Sequence, residues 1–372
     1  MIIAVNTRLK KEEQPEGYST FMFEILDGLT NKFPQHQFVY FFDGPYDEKL
    51  KFNKNVLPMV AGPKTNNSLG LRYWLNYKIP TLLRKHKADV FISMDGTCSL
   101  RTKIPQLLMV SDLRFIQQPE LIKKSQVRFY KRFTPAFLVK AKNVVTVSEY
   151  SKLIIADHYK INAIDITVIN PSINELFKPI EWEEKEYIKE KYAESKSYFL
   201  FSGDINQGSN IINLLKAFSF FKKRQKSNMM MLIAGKANES FKKELKNYTY
   251  KMEVKLLEDL SILNLAKITG AAYALVHPVL YSDFSISPLQ AIQCGVPEIA
   301  ADTGALPIIL GEAALYTIPN DFKDIAENMM LIFKDEKKAR KLVITGYAIL
   351  NQYQKDKSAE FFMKSILKAF HN

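Results

Sequence analysis

The stretch HPVLYSDFSISPLQAIQCGVPEIAADTG, residues 277–304, decides how this chain is read. Ala274, Leu275 and Val276 end a buried strand just before it, and Ile299 begins another near its close. Between them Pro288 suits the first turn of a helix, where a missing N–H has no intrahelical partner to lose. Leu289, Ala291 and Ile292 give that helix an apolar side, Gly295 offers a left-handed stop, and Pro297 prevents continuation. Ser285 and Ser287 precede the proline, so hydroxyls and N–H groups gather at a helix N-terminus, the end that attracts an anion.

Strands and helices alternate outward from this unit. Strands are expected at 2–6, 38–42, 90–93, 106–110 and 143–147, and a second series at 198–202, 229–234, 254–257, 273–276 and 298–300. Helices are expected at 18–29, 71–86 and 211–221. Such alternation predicts parallel sheets covered by helices. The proline- and charge-rich segment 170–194 reads as a linker.

The 372 residues suffice for two domains, and 47% hydrophobic with 24% charged residues is an ordinary globular composition. The apolar runs fall far short of the ~20 residues of a membrane span, and no leader pattern opens the chain, so a cytoplasmic location is expected. Two cysteines, Cys98 and Cys294, lack metal-ligand spacing and fit a reducing compartment.

A net charge of +13 calls for a partner. Lys123, Lys124, Arg128, Lys131, Arg132, Lys140 and Lys142 interleave with Phe129, Tyr130, Phe133 and Phe137. One reading lays this helix on an anionic inner membrane face with its aromatics dipped; the other turns the aromatics to the core and leaves the lysines solvated. No helix-turn-helix, zinc-finger or RNP pattern accompanies the charge, so nucleic acid is not an expected partner.

The 277–304 segment resembles the donor-binding element of retaining glycosyltransferases of group 1, family 4-like, in Phe284, Pro288, Leu289, Ala291, Cys294, Gly295 and Pro297. That family carries two glutamates eight apart; here Ser282, with Asp283 beside it, and Gln290 occupy those positions. The likeness continues elsewhere. EGYSTFMFEILDGL, with Gly17 and Tyr18, resembles the family's Gly-rich loop and first helix on the acceptor side. LLMVSDLRFIQQPE keeps Asp112, Pro119 and Glu120 but has Ser111 for a histidine. NVVTVSEYSKLII, VINPSIN and MMMLIAGK also match. FLFSGDINQGSNIINLLKAF keeps Gly203 and Asn210, with Gly208 and Ser209 replacing an arginine and a lysine.

The resemblance implies an α/β fold of two Rossmann-like doubly wound domains facing across a cleft (GT-B). An acceptor domain at 1–172 and a donor domain at 173–352 are expected, with a helix at 355–372 packing back on the first through Phe361, Phe362, Ile366, Leu367 and Phe370. It implies transfer of a hexose, with retention, from a UDP- or GDP-linked sugar to a hydroxyl of a glycan or lipid-linked acceptor in cell-surface polysaccharide or glycolipid synthesis. No separate cofactor and no metal is implied.

Carried onto this chain, donor binding falls on Gly203, Gly208, Ser209, Ser282, Phe284, Ser285, Ile286, Ser287 and Gln290. Lys236 is the first candidate for the diphosphate's cation, ahead of Lys216 and Lys267. Asp112, Ser111 and Asp283 are the candidates nearest the chemistry. Asp112 and Asp283 also have plainer readings, an Asx turn and a helix cap, and His277, at the end of the strand before the donor loop, reads either as pointing into the cleft or as a satisfied core histidine. Two functions stand at this point, an active transferase and a catalytically inactive partner that keeps the frame but not the polar contacts.

Overall fold

The computed structural model describes residues 1–8, 18–46, 51–62, 64–65, 67–203 and 205–371. It divides into two compact units, Met1–Ser172 with Tyr353–Asn372, and Ile173–Gln352.

The first unit carries β1 (Ile2–Asn6), β2 (Gln37–Phe42), β3 (Val56–Val60), β4 (Val90–Ser93), β5 (Gln106–Val110), β6 (Asn143–Thr146) and β7 (Ile166–Val168). They pair in parallel in the order β3-β2-β1-β4-β5-β6-β7. The central strands are apolar on both faces because helices cover both, which is why they read as continuous hydrophobic runs. The helix Tyr18–Lys32 follows β1; Gly17, expected beside it, lies outside the described residues.

The second unit repeats the plan with β8 (Tyr198–Ser202), β9 (Met230–Ala234), β10 (Val254–Leu257), β11 (Ala274–His277), β12 (Glu298–Ala301) and β13 (Ala314–Thr317). The order is β10-β9-β8-β11-β12-β13, all parallel. Leu214, Ala217, Phe218 and Phe221 recur at helical spacing along Ile211–Gln225 and close on Phe199, Phe201, Met231 and Ile233 of the sheet. Each fully buried phenylalanine contributes about 1.5–3 kcal/mol.

Three expectations are corrected. The strands β3, β7 and β13 escaped sequence reading. The supposed linker contains the helix Trp182–Ala193, in which Lys189 pairs with Glu186 at 2.8 Å. The buried stripe of the final helix, Lys355–His371, is Ala359, Phe362, Met363, Ile366 and Ala369, leaving Phe361 and Phe370 exposed. That helix packs on Tyr18–Lys32 and on β4, β5 and β6, where Asn143 Nδ2 donates to the Ser365 carbonyl at 2.9 Å.

Candidate functional site

In each sheet the strand order turns back at one place, between β1 and β4 and between β8 and β11. Ligands of open parallel sheets bind beyond the carboxyl ends of the strands at such points. Gly203 follows β8, and the segment Pro278–Ser285 follows β11, so the expected donor-binding residues of both loops gather at the second unit's switch point.

The two loops are laced together. Leu280 N donates to Gly208 O at 2.9 Å. Asn210, in the left-handed conformation at φ 57°, donates from Nδ2 to the carbonyls of Pro278 (2.8 Å) and Pro319 (2.6 Å). Asn206 Oδ1 accepts from the N–H groups of Gly208 (2.8 Å) and Ser209 (3.2 Å), and Ser209 Oγ donates back to Asn206 O. The side chain of Asn206 thus takes both of those N–H groups, and Ser209 is buried.

The short helix beyond β11 is Ile286–Gln293, so it starts two residues before the expected Pro288. Proline fits the third position for the reason it fits the first, since no N–H in the opening turn has a partner inside the helix. The helix therefore presents the N–H groups of Ile286 and Ser287. Ser285 is its N-cap, yet its side chain makes no capping bond. Its Oγ lies instead 3.0 Å from His277 Nε2 and 2.7 Å from Ser282 Oγ. Asp283 is not the cap either; its Oδ1 accepts from Tyr281 Oη at 2.8 Å, and the residue is buried. Gln290 and Ser287 are buried as well, while Phe284 is half-buried.

His277 is only 4% exposed, stacks on Phe201 at 6.2 Å, and leaves Nδ1 without a hydrogen-bond partner among the described residues. Burial pushes its pKa down to about 4, so the ring is neutral at physiological pH. The Ser282 backbone is pinned by Ala305 N at 2.8 Å from its carbonyl.

Lys236 is exposed just after β9, and its carbonyl accepts from Ile205 N at 2.9 Å, which sets it beside the loop that follows β8. It shares the field of Glu258, whose carboxyl is lowered by the Ala237 N–H and then by Lys242, with Lys236 adding charge. Lys267 is ion-paired with Glu184 at 2.6 Å.

In the first unit Ser111 is buried and Asp112 forms an Asx turn, with Arg114 N at 3.0 Å from Oδ1. Arg114 also grips both carboxylate oxygens, through Nε at 2.9 Å and Nη2 at 2.7 Å. A role for Asp112 as a base requires release of that arginine, so its plainer reading describes the geometry.

Sequence reading missed a buried polar cluster at the first unit's switch point. Arg8 Nε and Nη2 both reach Asp95 Oδ2 at 2.8 Å, Asn6 Nδ2 reaches Ser93 Oγ at 3.2 Å, and Trp74 Nε1 donates to Asn6 Oδ1 at 3.2 Å. The available signal was Asn6 and Arg8 at one strand end and the Asp95-Gly96 turn at another.

The basic helix is Lys124–Lys140. Phe129 and Phe137 are buried and Tyr130 and Phe133 half-buried, so the aromatics pack inward rather than dip into lipid. Lys124, Arg128, Lys131 and Arg132 are exposed. Among the described residues no helix is long and apolar enough to cross a membrane.

Residues 183–348, nearly all of the second unit, match the family described as Glycosyl transferases group 1. The chain is 26% identical over 285 residues to the O-antigen chain mannosyltransferase RfbU of Salmonella typhimurium, covering 75% of this chain and 76% of that protein. It is 23% identical to the O-antigen chain mannosyltransferase B of Escherichia coli, covering 65% of each. Among solved structures, Anabaena Alr3699/HepE in complex with UDP-glucose matches with a TM-score of 0.77 at 14% identity, over 99% of both chains. The likeness to that structure is one of fold.

Proposed function

We propose that this chain, whose residues 183–348 match the group 1 glycosyltransferase family, is a glycosyltransferase that transfers mannose with retention from a nucleoside diphosphate sugar to a hydroxyl of a lipid-linked surface polysaccharide. The observation that carries the reading is the convergence of two laced loops and a helix N-terminus at the second unit's switch point. The two relatives named as O-antigen mannosyltransferases support the sugar and the product. The UDP-glucose bound by HepE supports a sugar nucleotide as donor.

In this reading the C1–O bond to the diphosphate breaks, the acceptor oxygen bonds to C1 on the same face, and the acceptor's proton passes to the departing phosphate. Catalysis is then mostly electrostatic, with fixed donors aimed where negative charge grows. The N–H groups of Ile286 and Ser287 and the positive end of their helix would receive the phosphates. Lys236 supplies the cation that Gly208 and Ser209 do not. The Gln290 amide oxygen can accept from a ribose hydroxyl, although with less strength than a carboxylate. The exposed lysines and arginines of Lys124–Lys140 suit the phosphates of the leaflet that carries a lipid-linked acceptor.

Calorimetric titration with GDP, UDP, ADP, GDP-mannose and UDP-glucose tests the proposal. GDP-mannose is expected to bind, and Lys236→Ala to weaken nucleoside diphosphate binding by about 1.5–3 kcal/mol, the scale of a hydrogen bond to a charged group. Silence across the panel overturns the donor reading, a preference for UDP-glucose overturns mannose, and unchanged binding in the variant removes Lys236 from the site.

A further inference from the structure

We infer that His277 is a positioning residue which, through Ser285, turns the Ser282 hydroxyl into a hydrogen-bond donor toward a phosphoryl oxygen of the donor nucleotide. A neutral imidazole carries one N–H and one bare nitrogen. With Nδ1 buried and unpartnered and Nε2 at 3.0 Å from Ser285 Oγ, the two tautomers differ in what they strand. A proton on Nδ1 leaves an orphaned N–H inside the protein, a rarer and costlier fault than an orphaned lone pair. The proton therefore sits on Nε2.

The rest of the polarity follows from oxygen valence. Ser285 Oγ accepts from Nε2, so its own proton is directed to its other partner, Ser282 Oγ, at 2.7 Å. Ser282 Oγ, having accepted, turns its proton out of the chain. Successive hydrogen bonds polarise one another, which strengthens the terminal donor. Its aim is set by the backbone, since Ser282 O is held by Ala305 N at 2.8 Å. Ser285 also gives up capping its own helix to serve this relay, and the N–H groups of Ile286 and Ser287 stand beside it.

A glutamate at this position would accept hydrogen bonds from sugar hydroxyls. Ser282 in this relay seeks an oxygen that has no proton. Among the parts of a nucleoside diphosphate sugar, the phosphoryl oxygens are the strong acceptors of that kind. The hydroxyl thus offsets part of the charge left by Gly208 and Ser209. The ligand half of this inference rests on the donor-site reading; the relay half does not.

Nitrogen NMR of the ligand-free chain labelled at its five histidines decides the relay. The signals lost in His277→Gln identify the ring; a protonated Nε2 and bare Nδ1 are expected, and the opposite tautomer overturns the proposal. With whichever nucleotide the wild type binds, Ser282→Ala should weaken affinity about tenfold. Ser282→Glu should weaken it further through charge repulsion. His277→Gln, whose amide keeps a donor, should hold affinity better than His277→Phe at equal thermal stability. If Ser282→Glu binds the sugar nucleotide as well as the wild type does, the phosphate assignment falls. If no nucleotide binds the wild type, the donor reading falls and the tautomer alone judges the relay.

Discussion

At Glu298 a carboxyl group stands on β12, buried, with no hydrogen-bond partner for either oxygen among the described residues. Burial raises its pKa well above the ordinary carboxylate range, so the folded chain holds it protonated where the unfolded chain has released its proton. The stability linked to this proton is complete below the unfolded value near 4.5 and is lost as pH rises through the folded value. His277 works from the other side. Its pKa falls from 6.5 to about 4, so stability is lost as pH drops through that window, by roughly 3 kcal/mol in full. Urea unfolding across pH should show a dome for the wild type. Glu298→Met should remove the decline on the alkaline side and raise stability at pH 8 by about 1–3 kcal/mol, while His277→Gln should flatten the acid side. A wild-type curve that rises from pH 5 to pH 8 and is unchanged by Glu298→Met contradicts the assignment. The sequence revealed the identities at 282, 290 and 277 against a recognisable frame. It could not reveal that Ser285 serves His277 rather than its own helix, because that depends on which hydroxyl lies within 3 Å in the folded loop.

At the scale of elements, the helix Ile286–Gln293 and the loop before it depend on the turn that follows β12. Gly304 has φ +57°, and a Cβ there would lie 2.1 Å from Ser282 O. Gly311 has a similar φ of +51° with nothing within 4 Å. The pair separates conformational from steric cost. Gly311, at φ 51° and ψ −124°, lies outside the left-handed helical basin, so Gly311→Ala should destabilise by about 1–3 kcal/mol through backbone strain alone and leave nucleotide binding intact. Gly304→Ala should cost a further 1–3 kcal/mol, approximately, and displace Ser282, with loss of nucleotide affinity. Equal effects from the two would mean that the donor loop is not held by this contact. Central strands and the helix frame were legible as apolar runs with Gly and Pro punctuation. The three missed strands all lie at sheet edges: β3 is half-exposed and contains Pro58, and β7 and β13 are three and four residues long. Edge strands are short and wetted on one side, so they leave no continuous hydrophobic signal.

For the whole molecule, the repeated strand–helix alternation announced two sheets, whereas the place of the last helix was an implication of the family resemblance and not of its spacing. Its buried stripe was offset from the expected one because Phe361 lies on the wetted side of the helix. The charge of +13 was legible as a number but not as a surface. Folding resolves it on the helix Lys124–Lys140, which turns Phe129 and Phe137 into the core and leaves Arg128, Lys131 and Arg132 outside. Attraction to anionic lipid should then be electrostatic, without insertion. Each basic residue near such a surface is worth about 1 kcal/mol, so replacing all three by serine should weaken binding to phosphatidylglycerol vesicles by about 3 kcal/mol, on the order of a hundredfold. The wild-type affinity should collapse with added salt as screening shortens below 10 Å, and phosphatidylcholine vesicles should bind little. Nucleotide affinity, which the proposed function assigns to the second unit, should not change in the triple variant. Salt-resistant binding, or equal binding to phosphatidylcholine, would show that apolar insertion rather than this charged face holds the protein to the bilayer.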